Sequence, residues 1–424
     1  MAIQLLRYAQ IGPSLWSFDR LPSGTTIENI PLLAQDRGES CGTLYSRGGE
    51  RTVVCMMHPR GDMSRHYAIP YLLEAGYAAF GQAGRAVNND IALIHEMLIC
   101  DVAAGVRELK KRGFEKVVLL GNSGGGALYT FYQSQAATPP PDRLTTTAAG
   151  DPYDLNAFEL PEADGLVQLA THLGQGCLML SVIDPSVTHE DDPLSIDSEL
   201  DMYNPDNGFR APAESSTYST QFLARYRAAQ RHRVARIDAI ARNCVEVGRH
   251  FQREMMDENF EDLSLKQKQF VWRRAMVGRY MEIHRTEANP AYTDMSIHAS
   301  ERDYGSFFSP RPDLFNYIEA GFGKYQTPRA WLSTWSGLSS RASTLQCIPK
   351  IEAPTLVISY TSDNVVFIPD LEAIHHASGA SDKQLHYVDG DHLGLPPKCK
   401  PSAKGRDEAM KIVTGWLRER FPAA

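Results

Sequence analysis

A serine set between glycines is the feature of this 424-residue chain that points most directly to chemistry. The sequence G-N-S-G-G at 121–125 follows the apolar residues 117–120 and precedes a stretch of helix-forming residues. This order predicts a strand, a sharp turn and a helix, with Ser123 at the bend. Gly121 and Gly125 leave the space that such a turn needs, because side chains there would collide with their surroundings. Ser123 is therefore the predicted nucleophile.

Two further titratable residues follow predicted strands near the end of the chain. The apolar residues 354–360 predict a strand, and Asp363 lies in the loop that leaves it. The alternating residues 384–388 predict the last strand, and His392 lies in the loop after it. A helix over 407–420, with apolar residues recurring on one face, is expected to close the chain.

These three residue types are the ones that nucleophilic catalysis by serine requires. A serine hydroxyl is a weak nucleophile, so a histidine has to accept its proton during attack and return it to the leaving group. A carboxylate holds the imidazole in the required tautomer and stabilises the imidazolium. His392 is the candidate base and Asp363 the candidate acid. Asp389 and Asp391 are alternatives for the acid, although near neighbours of a histidine rarely turn their carboxylates onto its ring.

With the order serine, acid, histidine, the chain resembles the α/β-hydrolase superfamily over about 45–185 and 345–424. The resemblance implies a mostly parallel sheet, largely of eight strands, with helices on both faces. It implies hydrolysis of acyl compounds as the commonest activity, with Ser123, Asp363 and His392 as the catalytic residues. The same fold also hosts lyases, dehalogenases and inactive relatives.

The resemblance also implies an oxyanion hole made of two backbone N–H groups. One belongs to the residue after the serine, here Gly124, and the other to the loop after the predicted strand at 51–57. Many relatives have His-Gly where this chain has His-Pro at 58–59, and proline carries no N–H. Arg60 is therefore the first choice for the second donor, and Gly61 is the second choice.

Other polar clusters are weaker candidates for a site. His58 and His66 lie near the same loop and are candidates for substrate contact, with a buried, hydrogen-bonded histidine as the alternative for each. The sequence His-Glu-Asp-Asp at 189–192 offers metal ligands, but a solvated acidic turn is the simpler interpretation because no second histidine has ligand spacing. The glycines near Ser123 match neither a dinucleotide-binding fingerprint nor a phosphate-binding loop. We therefore expect no metal and no cofactor.

Composition and charge argue against several classes of protein. The net charge of −8 does not favour nucleic-acid binding. No apolar run is long enough to span a membrane, and the N-terminus shows neither a charged leader nor a long apolar stretch. The seven cysteines are scattered, odd in number and without a C-x-x-C pair, which favours reduced thiols and a cytoplasmic location.

The spacing of apolar residues predicts alternating strands and helices, and hence a parallel sheet. Helices are expected over 64–75, 90–111 and 125–135, and strands over 3–11, 42–46, 77–81, 116–120 and 165–170.

The middle of the chain has a different pattern. Residues 190–330 show little strand signal, and helices are expected at 217–255 and 264–286, the second with a capping box at its start. We expect 1–188 and 340–424 to form an α/β-hydrolase core. We expect 189–339 to form a mostly helical cap over the carboxyl ends of the strands.

Together these observations predict a serine hydrolase that cleaves an ester, lactone or thioester of a small molecule through an acyl-enzyme. Hydrolysis of a carbon–carbon bond next to a carbonyl, as in ring-fission hydrolases, is the alternative among enzymes. A non-catalytic ligand-binding protein of the same fold is the alternative outside them. The expected partner is a small-molecule substrate, with no nucleic acid and no membrane. The oligomeric state, including a homo-oligomer, stays open.

Overall fold

An eight-stranded sheet runs through the computed structural model, which describes residues 21–87, 89–212 and 214–424. The strands of this sheet are β1 (Thr26–Leu33), β2 (Glu39–Ser46), β3 (Thr52–Met57), β4 (Ala78–Ala83), β5 (Lys116–Asn122), β6 (Gly165–Leu169), β9 (Thr355–Tyr360) and β10 (Lys383–Val388). Two further strands, β7 (Met281–Glu282) and β8 (Tyr325–Gln326), form a separate two-stranded ribbon. Their order in the large sheet is β1-β2-β4-β3-β5-β6-β9-β10. Strand β2 is antiparallel to both of its neighbours, and the strands β4, β3, β5, β6, β9 and β10 pair in parallel in this order.

Helices connect the parallel strands. The described helices are α1 (Ala68–Glu74), α2 (His95–Lys111), α3 (Gly124–Ala136), α4 (Gln175–Val182), α5 (Thr220–Met255), α6 (Leu265–Met276), α7 (Pro312–Phe315), α8 (Pro328–Ala330), α9 (Thr344–Cys347), α10 (Ile368–Ala377) and α11 (Gly405–Arg420). Helices α1, α2, α3 and α10 each link a strand to the next parallel strand of the large sheet. This strand order, with its antiparallel second strand, is that of the α/β-hydrolase fold, so the predicted fold class is confirmed.

The core lies in two layers, one on each face of the sheet. Successive residues of a strand point to opposite faces, so Val53 and Val54 of β3 belong to different layers. Helix α2 buries Val102 and Val106 in the first layer, on the face that their spacing predicts. Helices α1 and α11 cover the other face, where Trp416 is buried. The sheet is thereby held rigidly beneath the loops at its carboxyl edge.

The segment between β6 and β9 departs from the alternating pattern. Helix α5 contains 36 residues and packs against α6, which begins with the predicted capping box of Ser264 and Gln267. The prediction that this second helix reaches 286 is wrong, because it ends at Met276. Val277 is extended, Gly278 follows, and β7 then pairs with β8. Among the described residues, no helix is both long and apolar enough to cross a membrane.

Several smaller boundaries also differ from the predictions. The helix expected at 64–75 begins only at Ala68, because an Asx turn at Asp62 and Ser64 occupies the preceding loop. The helix expected at 90–111 is split into a 3₁₀ turn at Asp90–Ala92 and helix α2, with extended residues between them. Strand β1 was not predicted, and the strand expected at 3–11 lies outside the described residues.

Candidate active site

Ser123 lies at the bend between β5 and α3 in a backbone conformation, φ 54° and ψ −125°, that residues other than glycine rarely adopt. A Cβ atom at Gly121 would lie 2.3 Å from the Gly126 Cα. A Cβ atom at Gly125 would lie 2.3 Å from the Met57 carbonyl oxygen. The two flanking glycines are therefore required sterically, as the sequence motif predicts, and the turn presents the serine hydroxyl above the sheet.

His392 joins the serine to a carboxylate. Its Nε2 lies 2.9 Å from Ser123 Oγ, and its Nδ1 lies 2.6 Å from Asp363 Oδ2. An ionised carboxylate can only accept hydrogen bonds, so Nδ1–H donates to Asp363. Nε2 is then free to accept from the Ser123 hydroxyl. The structure thus brings together the three residues that the sequence singled out, and both His392 and Asp363 are buried.

The other two candidate acids have different partners. Asp389 forms an ion pair with Lys400 at 2.8 Å, and Asp391 accepts from the backbone N–H of Leu393 at 2.9 Å. The second oxygen of Asp363 accepts from two backbone N–H groups of the following loop, at 2.7 and 3.0 Å. Asp363 is therefore fixed on both sides and is the one carboxylate of the three hydrogen-bonded to His392.

The surroundings of His392 act on its pKa in opposite directions. Burial lowers the pKa of His392, but the charge of Asp363, its hydrogen bond and the nearby charge of Asp391 together raise it above its ordinary value. The ring of Phe307 packs edge-on against the imidazole, with 5.3 Å between the ring centroids. His392 is thus a more basic histidine than usual, held in one orientation.

A cavity of about 540 Å³ opens beside Ser123. Part of its wall comes from the loops of the sheet, and part from four aromatic residues of the segment between β6 and β9, which are Phe307, Phe308, Phe322 and Trp335. Arg60 also lines the cavity, with its guanidinium 5.2 Å from the centre of a Trp335 ring and its Nε donating to Asp90 at 2.7 Å. The cavity is therefore largely apolar where the aromatic residues line it, with the ion pair of Arg60 and Asp90 at one side.

The backbone N–H groups near Ser123 differ in their availability. Gly124 is the first residue of α3, where an N–H has no partner within the helix. The Arg60 N–H donates to His58 Nδ1 at 3.1 Å and is already engaged. Within the described residues, no hydrogen bond occupies the N–H of Gly61. The order of preference between Arg60 and Gly61 is therefore reversed relative to the prediction from sequence.

The two histidines predicted near the cavity have different environments. His58 lines the cavity. His66 does not, so its suggested contact with substrate is corrected. It is buried behind the strand ends, where its Nδ1 accepts from the Ala68 N–H at 3.2 Å and its ring stacks on Tyr67. Burial lowers the pKa of His66 to about 4, so its role is that of a neutral core residue.

The cavity wall includes polar residues that the sequence does not single out, among them His172 and Gln175. His172 follows β6, and Gln175 is the first residue of α4. The position of His172 after a predicted strand was the available signal, because carboxyl ends of parallel strands share one edge of the sheet. In the acidic sequence at 189–192, Glu190 forms ion pairs with Arg233 and Arg236 at 2.8 and 2.5 Å, so among the acidic residues the expected solvated turn describes only Asp191 and Asp192, which are exposed.

Comparisons with known proteins add little to this description. No family model matches the chain, and no curated protein matches it in sequence. Similar solved structures include DcsB in complex with its substrate analogue, with 10% identity, a TM-score of 0.46 and coverage of 93% of this chain and 100% of that one. An esterase domain from Rhodothermus marinus has 10% identity, a TM-score of 0.42 and coverage of 94% and 100%.

Carboxyl esterase 2 from the fungus Tuber melanosporum has 11% identity, a TM-score of 0.43 and coverage of 96% of this chain and 89% of that chain. At such identities and scores, these structures indicate nothing about the substrate of this chain. The fold assignment rests on the strand order and connections of the sheet itself.

Proposed function

We propose that this protein of α/β-hydrolase fold is a serine hydrolase that cleaves a carboxylic ester or thioester of a small molecule. One observation carries the proposal, namely the continuous path from Ser123 Oγ to His392 Nε2 (2.9 Å) and from His392 Nδ1 to Asp363 Oδ2 (2.6 Å). This arrangement of a strained serine, a buried imidazole and a fixed carboxylate suits nucleophilic attack on a carbonyl carbon.

In the first half of the proposed reaction, Ser123 Oγ attacks the carbonyl carbon while His392 Nε2 accepts the hydroxyl proton. Asp363 stabilises the imidazolium through its hydrogen bond to Nδ1–H. The tetrahedral intermediate then collapses, and His392 gives the proton to the departing alcohol or thiol. An acyl group remains on Ser123.

In the second half, water attacks the acyl-enzyme and His392 accepts one of its protons. Collapse of the second intermediate returns this proton to Ser123 Oγ and releases a carboxylic acid. The N–H of Gly124 and the N–H of Gly61 are the proposed donors to the oxyanion in both halves. Removal of one such donor typically lowers kcat by about 10²–10³-fold.

The residues 189–339 are the proposed cap of this site. Support comes from the four aromatic side chains of this segment that line the cavity beside Ser123. An apolar cavity of about 540 Å³ suits a small substrate better than a peptide chain. A covered site also excludes bulk water, which strengthens the electrostatic contacts that stabilise the oxyanion.

Hydrolysis of a series of p-nitrophenyl esters and acyl thioesters tests this function. Wild-type protein is compared with Ser123→Ala and with the matched control Ser134→Ala, a buried serine of the same helix whose hydroxyl donates to the Phe131 carbonyl. We expect turnover in wild type and in the control, and loss of at least about 10⁴-fold in Ser123→Ala. Equal turnover in all three proteins would show that Ser123 is not the nucleophile.

A further inference from the structure

Three side-chain nitrogens converge beside the α-carbon of Gly124, two from the buried residues His172 and Gln175 and one from the half-buried His58. A Cβ atom placed on this glycine would lie 2.7 Å from Gln175 Nε2, 2.9 Å from His58 Nε2 and 3.2 Å from His172 Nε2. Because residue 124 has no side chain, the three nitrogens can converge this closely on its α-carbon, and all three residues belong to the wall of the cavity beside Ser123. We call the space bounded by His58, His172 and Gln175 the donor niche.

The tautomers of the two histidines follow from their backbone contacts. The Arg60 N–H donates to His58 Nδ1 at 3.1 Å, and the Gly174 N–H donates to His172 Nδ1 at 3.0 Å. A ring nitrogen that accepts a hydrogen bond carries no proton, so the proton of each neutral ring lies on Nε2. Both imidazoles therefore present an N–H donor to the same space.

Both rings are neutral over the physiological range of pH. Burial lowers the pKa of His58 well below its ordinary value, and the charge of Arg60 lowers it further. Burial likewise lowers the pKa of His172 to about 3, with a smaller effect from His392. The niche thus holds uncharged donors whose hydrogen-bonding state does not change near neutral pH.

Gln175 adds a side chain with unused hydrogen-bonding capacity. It is 2% exposed, and no hydrogen bond of ordinary geometry reaches its Nε2 or Oε1 among the residues that the structure describes. A polar neighbour is the ring of His95, where burial lowers the pKa to about 4 and Gln175 opposes this shift in part. A buried amide without a partner is unfavourable. A ligand that accepts from its NH₂ group removes this penalty, so the niche favours a polar ligand atom over an apolar one.

We propose that the donor niche binds an acceptor oxygen carried by the acyl part of the substrate. This inference rests on the proposed function and names its substrate class, which is acyl groups with an oxo or carboxylate substituent. The leaving group has to face His392, which protonates it, whereas the niche adjoins Gly124, the proposed donor to the carbonyl oxygen. An oxygen in the niche is therefore attached to the acyl part.

Four esters of p-nitrophenol with similar shapes test the niche: pentanoate, 3-oxopentanoate, 4-oxopentanoate and the succinate monoester. The spontaneous hydrolysis of each ester in the assay buffer is measured separately and subtracted. We expect the kcat/KM of at least one oxygen-bearing ester to exceed that of pentanoate by about tenfold or more. The two oxo esters and the succinate ester distinguish a neutral ketone from a carboxylate as the bound group.

Variants then connect this preference to the niche. Gln175→Met and His172→Leu are expected to reduce the preference to about threefold or less, mainly by losing activity on the oxygen-bearing ester. The control Leu178→Val changes an apolar residue of the same helix and the same cavity wall. It is expected to affect pentanoate and the preferred ester equally.

The proposal is overturned if wild type cleaves pentanoate as well as the other three esters, or if both niche variants keep the preference. Failure of the proposed function would look different, because no ester would then be cleaved. In that event, calorimetry on Ser123→Ala with methyl pentanoate and methyl 4-oxopentanoate still tests whether the niche binds an acceptor oxygen. Tighter binding of the oxo ester supports it, and equal affinities overturn it.

Discussion

The Nδ1 atom of His392 lies 2.6 Å from Oδ2 of Asp363, although the two residues come from loops after different strands. The contact fixes which ring nitrogen carries the proton. The nitrogen that faces Ser123 is consequently the one with a free electron pair. We therefore expect Asp363, and neither Asp389 nor Asp391, to be the carboxylate on which catalysis depends.

Replacement of Asp363 by asparagine is expected to lower kcat by about 10⁴-fold, because an amide can donate to Nδ1 and stabilise the wrong tautomer. Steady-state hydrolysis of the best p-nitrophenyl ester measures the effect. Asp389→Asn is the matched control, since Asp389 contacts Thr361 and Lys400 rather than His392. Similar losses in the two variants would contradict the assignment of the acid.

The pH dependence of kcat/KM is expected to report His392, which has to be neutral in order to accept the serine proton. Because Asp363 and Asp391 raise its pKa above the ordinary value despite burial, activity should rise with pH through a midpoint above about 6.5. In Asp363→Asn the opposing effect of burial remains, so the midpoint of the residual activity should move to lower pH. An unchanged midpoint in this variant would contradict the conclusion that Asp363 raises the pKa of His392.

The conformation of Ser123 predicts an unusual order of stability. A non-glycine residue at φ 54° and ψ −125° stores about 1–3 kcal/mol of strain. Ser123→Gly should relieve this strain and raise the free energy of unfolding, whereas Ser123→Ala should keep it. Urea unfolding of both inactive variants separates strain from the loss of the hydroxyl. A less stable glycine variant would contradict this interpretation of the turn.

A second stability prediction concerns Arg85, which binds Asp36 and the fully buried carboxylate of Asp101 at 2.6 Å each. Arg85→Met should leave the Asp101 charge buried without its partner and lower the free energy of unfolding by about 3–5 kcal/mol. Arg51→Met, which removes an exposed ion pair with Glu115, is the control and should have little effect in the same urea titration.

The parts of the site that could be predicted are those with a local signal. Ser123 is marked by flanking glycines between a strand and a helix, and Asp363 and His392 each follow a short apolar strand. Alternating strands and helices likewise predict the parallel sheet, because each element carries its own periodicity. In these cases sequence neighbours determine the local conformation, and the chain order then gives the topology.

The parts that could not be predicted depend on contacts between distant segments. His172 and Gln175 reach Gly124 only because β6 pairs beside β5, and the position of His172 after a strand does not show that its ring turns toward Gly124. The sequence favours the N–H of Arg60 as an oxyanion donor, but this N–H is engaged with the His58 ring, a contact that no local pattern predicts. Helix α6 ends early because β7 pairs with β8. Helix propensity is a property of neighbouring residues and does not predict this pairing between distant segments.

The rate at which Ser123 reacts with an active-site reagent tests whether it is a nucleophile activated by His392. Wild-type protein and His392→Ala are treated with a fluorophosphonate, the rate of labelling is followed, and the modified residue is located by mass spectrometry. We expect a fast adduct on Ser123 in wild type and labelling slower by at least about 10²-fold in the variant, because His392 activates the serine. Equal rates in the two proteins, or an adduct on a residue other than Ser123, would contradict it.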